Sequence, residues 1–327
     1  MIQTDYCPDK FGTYLSHPES QGGGIDLSDA SVREIILAYR AYRQTLNPSF
    51  NNDHILRRVI QLEKEFSCTL MPSQITDVFY ANFIQWAREK GNCYSTIKLY
   101  CNQLKSALNW ASRHGCKLSQ TYNVYEVPRY FKSRVALSQD EISHIAHFDI
   151  SKVARRPQYR RTLERVRDMF VLLCNLGQRY SDIRRISPEN FERNLFRIIQ
   201  QKTGNKAIVD IDRYAIIPKL TYSLLKKYGY RSPYTSSVSN YDRYLHSLLK
   251  EIGEEFNDTV ITEVKVGGVV NRSENQKWEL CTSHTGRRTF ISYNVMRCST
   301  EAEVRKCSGH KSAKTFERYI SFELKID

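Results

Sequence analysis

The amino-acid pattern predicts a mainly α protein in two parts, an all-α bundle followed by a larger α+β domain whose β content is a small hairpin or sheet. Three observations predict it. Apolar residues recur at three-to-four spacing from Val32 to Ala111. The repeat lapses over roughly 116–135, where Pro128, Arg129, Lys132 and Arg134 stand instead. Helical signals then resume around two β-type runs, Leu195-Phe196-Arg197-Ile198-Ile199 and Ala207-Ile208-Val209-Asp210-Ile211. A chain of 327 residues is also longer than one core usually serves. The expected layout is a lead-in segment over 1–27, a helical domain over 28–118, a linker over 119–136 and a second domain over 137–327.

The elements follow in order. Residues 1–27 show little periodicity and contain Gln21-Gly22-Gly23-Gly24. Val32, Ile35, Ile36, Tyr39 and Tyr42 define a first apolar helix face, and Ile55, Val59, Leu62 and Phe66 a second. Phe79, Phe83 and Trp86 define a third, before a stop at Gly91. The clearest stripe is Ile97, Cys101, Leu104, Leu108 and Ala111, on a helix expected to start at Ser95 or Thr96 and end at Gly115.

Past the linker, Ser138-Gln139-Asp140-Glu141 has the reciprocal capping form that opens a helix. The stretch from Lys152 to Arg167 sets Lys152, Arg155, Arg156, Arg160, Arg161, Arg165 and Arg167 against a single acid, Glu164. Leu163, Val166, Phe170 and Leu173 mark a buried helix that Gly177 ends, which leaves Arg179 between that stop and a new helix near Ser181. Lys202-Thr203-Gly204-Asn205-Lys206 lies between the two β-type runs as a hairpin loop. Helices are expected near Pro218–Tyr228 and Tyr241–Ile252, a strand-like region up to Leu280, and further helices from about His284 and about Ala313.

Composition narrows the class. With 41% hydrophobic and 26% charged residues, and only 14 Gly and 9 Pro, the chain is neither disordered nor a low-complexity repeat. The balance of 49 Lys+Arg against 35 Asp+Glu, net +14, points to a polyanionic partner, nucleic acid first. Nine scattered cysteines without a Cys-x-x-Cys pair indicate neither a disulfide framework nor a zinc site. No basic, apolar leader opens the chain and no 18 apolar residues run together, so the expectation is a cytoplasmic, nucleoid-associated protein with no membrane partner.

The chemistry-bearing residues are cations ahead of a late tyrosine. His284 and Arg287 are three apart and share a helix face. Arg179 and Lys202 precede them, and Gly309-His310 and then Tyr319 follow. Two arginines, charged at any relevant pH and forked to match phosphate oxygens, suit a phosphodiester whose transition state gathers negative charge. A phenol supplies a nucleophile that keeps the bond energy in a covalent intermediate, so no cofactor is expected. No carboxylate–histidine set suggests a metal, and no phosphate-binding loop is present.

In order and spacing, Arg179, Lys202, His284-x-x-Arg287, Gly309-His310 and Tyr319 resemble the catalytic residues of the tyrosine recombinase, or phage integrase, family. Tyr94-Ser95-Thr96-Ile97 and Leu104-x-x-x-Leu108-Asn109-x-Ala111 look like part of that family's core-binding domain. The resemblance spans about 75 to 322. It implies a helical core-binding DNA-binding domain, a catalytic domain of the DNA breaking-rejoining type, and a site-specific recombinase that integrates, excises or inverts DNA through a 3′-phosphotyrosyl intermediate.

By the same resemblance Arg179 and Arg287 clamp the scissile phosphate, and Tyr319 attacks it. Lys202 is the general acid, with Lys206 across the turn as its rival. His284 is the base or proton shuttle, His310 a donor to the phosphate, and Asp182 a buttress behind the site. Lys98, Lys105, Arg155, Arg156, Arg160, Arg161 and Arg288 are candidates for DNA contact. Expected partners are double-stranded DNA, further copies forming a tetramer on it, and DNA-bending accessory factors. The eight residues after Tyr319 make a short tail for exchange between neighbours, and the lead-in is short for an arm-binding domain, which favours an Xer- or invertase-like architecture. Relaxation of DNA in the manner of a type IB topoisomerase, or a silent DNA-binding regulator, are the alternatives.

Overall fold

The structure, a computed structural model, describes residues 26–128, 135–266, 269–297 and 300–320, with backbone alone for the described part of 263–271. The expected lead-in up to residue 25 and the linker cations Arg129, Lys132 and Arg134 lie outside the described residues. The chain divides into two compact units, Met1–Tyr130 with Lys265–Val269, and the remainder.

The first unit is all α. Its helices are α1 (Val32–Leu46), α2 (Asp53–Glu65), α3 (Asp77–Glu89) and α4 (Tyr94–Ser112). A capping box between Ser31 and Glu34 starts α1, and Thr76 caps α3 through the amide of Phe79. Each helix turns its apolar stripe inward, so that Ile35, Ile36, Ile55, Val59, Phe83, Ile97, Leu104 and Leu108 form one core. Helix α4 runs against the other three.

Three details differ from the sequence expectation. Helix α4 starts at Tyr94, because Ser95 and Thr96 turn their hydroxyls onto the Cys93 thiol at the cap position and sit within the first turn. Phe66 is 60% exposed because it falls one residue beyond α2, off its buried stripe. Tyr42 is 42% exposed and stacks on the rim ring of Trp110.

The second unit is α+β. It opens with α5 (Gln139–His147), started by the expected Ser138–Glu141 capping box. Next come α6 (Pro157–Leu176) and α7 (Tyr180–Ile183), then strands β1 (Phe191–Glu192), β2 (Leu195–Ile199) and β3 (Lys206–Asp210). The sheet is antiparallel in the order β1-β2-β3, with Phe196 opposite Val209 and Ile198 opposite Ala207. Those four face the core, as the two-residue period of a strand requires.

Helices α8 (Ile211–Tyr214), α9 (Pro218–Lys227) and α10 (Val238–Ile252) follow, and then a two-stranded sheet of β4 (Thr259–Val266) and β5 (Val269–Gln276). The chain continues through α11 (Lys277–Leu280), α12 (Ser283–Met296), α13 (Glu301–Ser308) and α14 (Ala313–Phe316), and a 3-10 turn carries Tyr319. Helix α13 was absent from the expected elements, although Thr300 and Glu303 form a capping box at its start.

Helices α6 and α12 are the axis of this unit. They meet at Gly286, where an added Cβ would lie 2.7 Å from the Leu173 side chain and 3.0 Å from its backbone. Gly177 ends α6 in the left-handed region, at φ 64°, so the chain turns sharply into Arg179.

Candidate active site

The next residue of α12 after Gly286 is Arg287, and the close approach of α6 leaves it fully buried. Its Nη1 donates to the Gly177 carbonyl at 3.1 Å and its Nη2 to the Ser308 carbonyl at 2.6 Å. Among the described residues it makes no ion pair, and its Nε has no hydrogen-bond partner. Carbonyl dipoles therefore carry the compensation that a carboxylate usually supplies to a buried cation. Burial, and after it the positive charge of Arg179, bring its pKa down to about 10, against the opposing pull of Tyr319 and Asp182.

Arg179 follows the Gly177 turn in an extended conformation and opens α7, so two helix ends fix its backbone. Its Nη1 donates to Gln200 Oε1 at 2.7 Å and stands 4.0 Å from Asp182 Oδ2. Asp182 is fully buried, and its Oδ1 accepts from the Gln201 amide at 2.8 Å, which pins the start of the β2–β3 loop beside Arg179.

His310 leaves the end of α13 through Gly309, at φ 68°. The Ser308 hydroxyl donates to the Val304 carbonyl at 2.8 Å, so its oxygen accepts from His310 Nδ1 at 2.9 Å. That places the proton on Nδ1, while Arg287 Nη2 lies 3.1 Å from Nε2 and 3.2 Å from Nδ1. Desolvation first, and then the charges of Arg287 and Arg179, push the His310 pKa down to about 3, which keeps the ring neutral. The Tyr319 ring lies 4.9 Å from the His310 ring and 5.5 Å from the Arg287 guanidinium carbon, centroid distances that put the phenol within the cationic cluster. Its backbone carbonyl accepts from the Ser292 hydroxyl of α12 at 3.2 Å, and Phe316 anchors the preceding turn in the core.

Arg179, Arg287, His310 and Tyr319 are thus brought together, with Asp182 behind them. His284, at the start of α12, is exposed; desolvation on its inner side and the positive charges of Arg287, Arg288 and Arg179 push its pKa below the ordinary value. Lys202 and Lys206 are both exposed, one in the loop and one at the start of β3. Their loop is tied to the site by Thr203 Oγ1, which donates to Gln200 at 3.1 Å, and by Asn205 Nδ2, which donates to the Gly309 carbonyl at 3.0 Å.

Of the candidates for nucleic-acid contact, Lys98 on α4 is exposed, and Lys105 is half-buried with its ammonium near the Tyr125 ring. Arg155, Arg156 and Arg161 are exposed around the start of α6, whereas Arg160 folds back to donate to the Ala154 carbonyl at 3.2 Å. Arg288 donates from Nη1 to the Val135 carbonyl at 3.0 Å, which fastens the segment leading into α5.

Four residues that sequence reasoning passed over hold the cluster together: Gln178, Gln200, Asn205 and Ser308. Each lies within three residues of a cationic candidate. Gln200 was also legible in strand parity, since it continues the inward face of Phe196 and Ile198.

No sequence-family model matches the chain, and no curated protein sequence matches it. Solved structures with the same fold do exist. Lambda integrase bound to DNA has a TM-score of 0.61 at 17% identity, over 90% of this chain and 98% of that one. The Tn1549 transposon integrase in complex with a circular intermediate DNA has a TM-score of 0.60 at 13% identity, over 90% and 96%. The XerH site-specific recombinase bound to its difH substrate, a pre-cleavage complex, has a TM-score of 0.50 at 14% identity, over 77% and 69%. The fold is that of these tyrosine recombinases: mainly helical, with a small β component.

Proposed function

We propose that this chain is a site-specific DNA recombinase of the tyrosine type, which cuts and rejoins DNA through a 3′-phosphotyrosyl intermediate. The observation that carries the reading is Arg287, a fully buried guanidinium without a carboxylate partner among the described residues, adjoining a histidine and a phenol. Leaving a cation so placed costs several kcal/mol unless an anion completes the site, roughly what a phosphodiester offers. The fold shared with lambda integrase, Tn1549 integrase and XerH supports DNA as that anion's source, as does the net charge of +14.

In this reading Arg179 and Arg287 each contact a non-bridging oxygen of the scissile phosphate and stabilise the charge that builds there. The Tyr319 oxygen attacks phosphorus, and the 5′-oxygen leaves with a proton from Lys202. His284, held toward neutrality by desolvation on its inner side and by its cationic neighbours, takes the phenolic proton. Reversal by a second 5′-hydroxyl rejoins the strands and regenerates the phenol, so no cofactor is consumed. Lambda integrase has been crystallised as a tetramer bound to a Holliday junction, and we infer the same self-association on DNA for this chain.

The test begins by locating inverted repeats in the DNA flanking the gene, then incubating the protein with a nicked duplex of that site. Wild type is expected to form a covalent protein–DNA adduct and Tyr319→Phe none. An undiminished adduct in Tyr319→Phe would falsify the assignment. Exchange between two sites, in place of simple relaxation of a supercoiled circle, separates a recombinase from a topoisomerase.

A further inference from the structure

We propose that Gln200 is a positioning residue for the strand-transfer reaction, acting by setting the separation of Arg179 and Arg287; this rests on the function proposed above. The two guanidinium groups are joined by one unbroken path. Arg179 Nη1 donates to Gln200 Oε1 at 2.7 Å, Gln200 Nε2 donates to the Ser308 carbonyl at 2.8 Å, and the same carbonyl accepts from Arg287 Nη2 at 2.6 Å.

The amide has one workable orientation. Its oxygen faces a guanidinium, which can only donate, and its nitrogen faces a carbonyl, which can only accept. The remaining capacity is also satisfied: Oε1 accepts from Thr203 Oγ1 at 3.1 Å, and Nε2 donates to Gln178 Oε1 at 2.9 Å. Gln178 continues the path, donating from Nε2 to the Leu176 carbonyl at 2.9 Å and the Cys307 carbonyl at 2.8 Å. Both glutamines are fully buried.

Three separate segments, the end of α6, the β2–β3 loop and the end of α13, thus meet on one side chain. The fit is tight: a Cβ on Gly309 would lie 2.6 Å from Gln200 Nε2. A buried amide with every bond made cannot shift without stranding a partner, which is what holding two cations at a fixed spacing requires. Gln200 itself need not touch DNA.

The experiment compares wild type, Gln200→Met and Gln200→Ala on the nicked duplex, carrying either an ordinary scissile phosphodiester or a methylphosphonate at that position. The methylphosphonate is uncharged, so its cleavage depends far less on a correctly placed pair of cations. Both variants are expected to bind DNA and to melt cooperatively, though at a lower temperature than wild type because buried partners lose their hydrogen bonds, and to cleave the phosphodiester roughly 10- to 100-fold more slowly, the worth of about one charge-assisted hydrogen bond. On the methylphosphonate the deficit should shrink to within about threefold, well under the loss of one such bond.

Equal slowing on both substrates, or no slowing on either, overturns the inference. Loss of a cooperative melting transition in both variants also overturns it, since Gln200 is then a folding strut only. If wild type forms no adduct, the proposed function fails first; if wild type reacts and the variants match it, only this inference does.

Discussion

Helix α4 is the most buried of the first unit and α12 is among the most buried of the second, and they are built on opposite plans. Helix α4 buries Ile97, Tyr100, Cys101, Leu104, Ala107, Leu108, Trp110 and Ala111, all apolar or aromatic. Helix α12 buries Phe290 and Ile291 but also Ser283, Thr285, Arg287, Thr289, Ser292 and Asn294. Polar groups inside a protein destabilise it unless each finds a partner. In α12 most do: Thr289 Oγ1 accepts from the Leu137 amide at 3.0 Å, Ser292 donates to the Tyr319 carbonyl at 3.2 Å, and Asn294 donates to the Tyr214 carbonyl at 3.0 Å. One helix is held by area removed from water. The other is held by directional bonds that also fix where Arg287 and Tyr319 stand.

Breaking this contrast should give different phenotypes on the two sides. Arg287→Met is expected to slow cleavage by about 1,000-fold, as removal of a charge-stabilising donor does. Its stability, followed by urea denaturation, should change by less than about 1.5 kcal/mol, because the lost carbonyl bonds are offset by relief of a buried charge. A large fall in stability with normal cleavage would reverse the assignment of roles. Leu104→Ala, on α4, should do the opposite and cost about 3 kcal/mol of stability through a cavity, with the chemical step of fully folded, DNA-bound protein unchanged.

Gly286→Ala tests whether the two properties meet in α12. The added methyl collides with Leu173, and about 1–3 kcal/mol of stability should go together with a measurable loss of cleavage. If the melting temperature and the rate both stay at wild-type values, the helices can part more easily than the geometry implies.

Acid should act on the second unit. His310 has a pKa of about 3 when folded and an ordinary value of 6.5, so the unfolded chain binds the extra proton first. The stability this group contributes is complete above pH 6.5 and is lost progressively as the pH falls from there toward 3. His284, also shifted down, acts in the same direction. The slope should not exceed about 1.4 kcal/mol per pH unit for His310 alone, and His310→Gln should flatten it. A wild-type slope of zero between those limits would mean the imidazole is already charged in the native protein.

The smallest expected effect is spectroscopic. Ser308→Ala removes the acceptor at Nδ1, and the nitrogen-15 signals of His310 should move from the Nδ1–H pattern toward the other tautomer. Unchanged signals would show that something other than Ser308 sets the proton.

How much was legible followed the same contrast. The four helices of the first unit could be read from apolar spacing, and the errors there were at ends: Phe66 one residue past its helix, Cys93 in place of Ser95 or Thr96 as the cap. In the second unit the order and spacing of Arg179, Arg287, His310 and Tyr319 picked out residues that the fold brings together, yet nothing periodic marks Gln178 or Ser308, and strand parity turns Gln200 inward without revealing its partner 108 positions away. Arg288, which reads as a cation for DNA contact, also donates to the Val135 carbonyl, a partner that its place in the sequence did not show. Short polar helices such as α13 escape a search for apolar stripes and need their capping residues to be seen.

Gly286 and Gly309 carry a consequence for how freely this sequence can drift. At both positions the nearest atoms, on Leu173 and on Gln200, stand within 2.7 Å of where any side chain would begin. Every single-base change of a glycine codon that alters the amino acid introduces that first carbon. A saturation library of this chain should therefore come back nearly blank at these two codons while its exposed helix faces tolerate wide replacement.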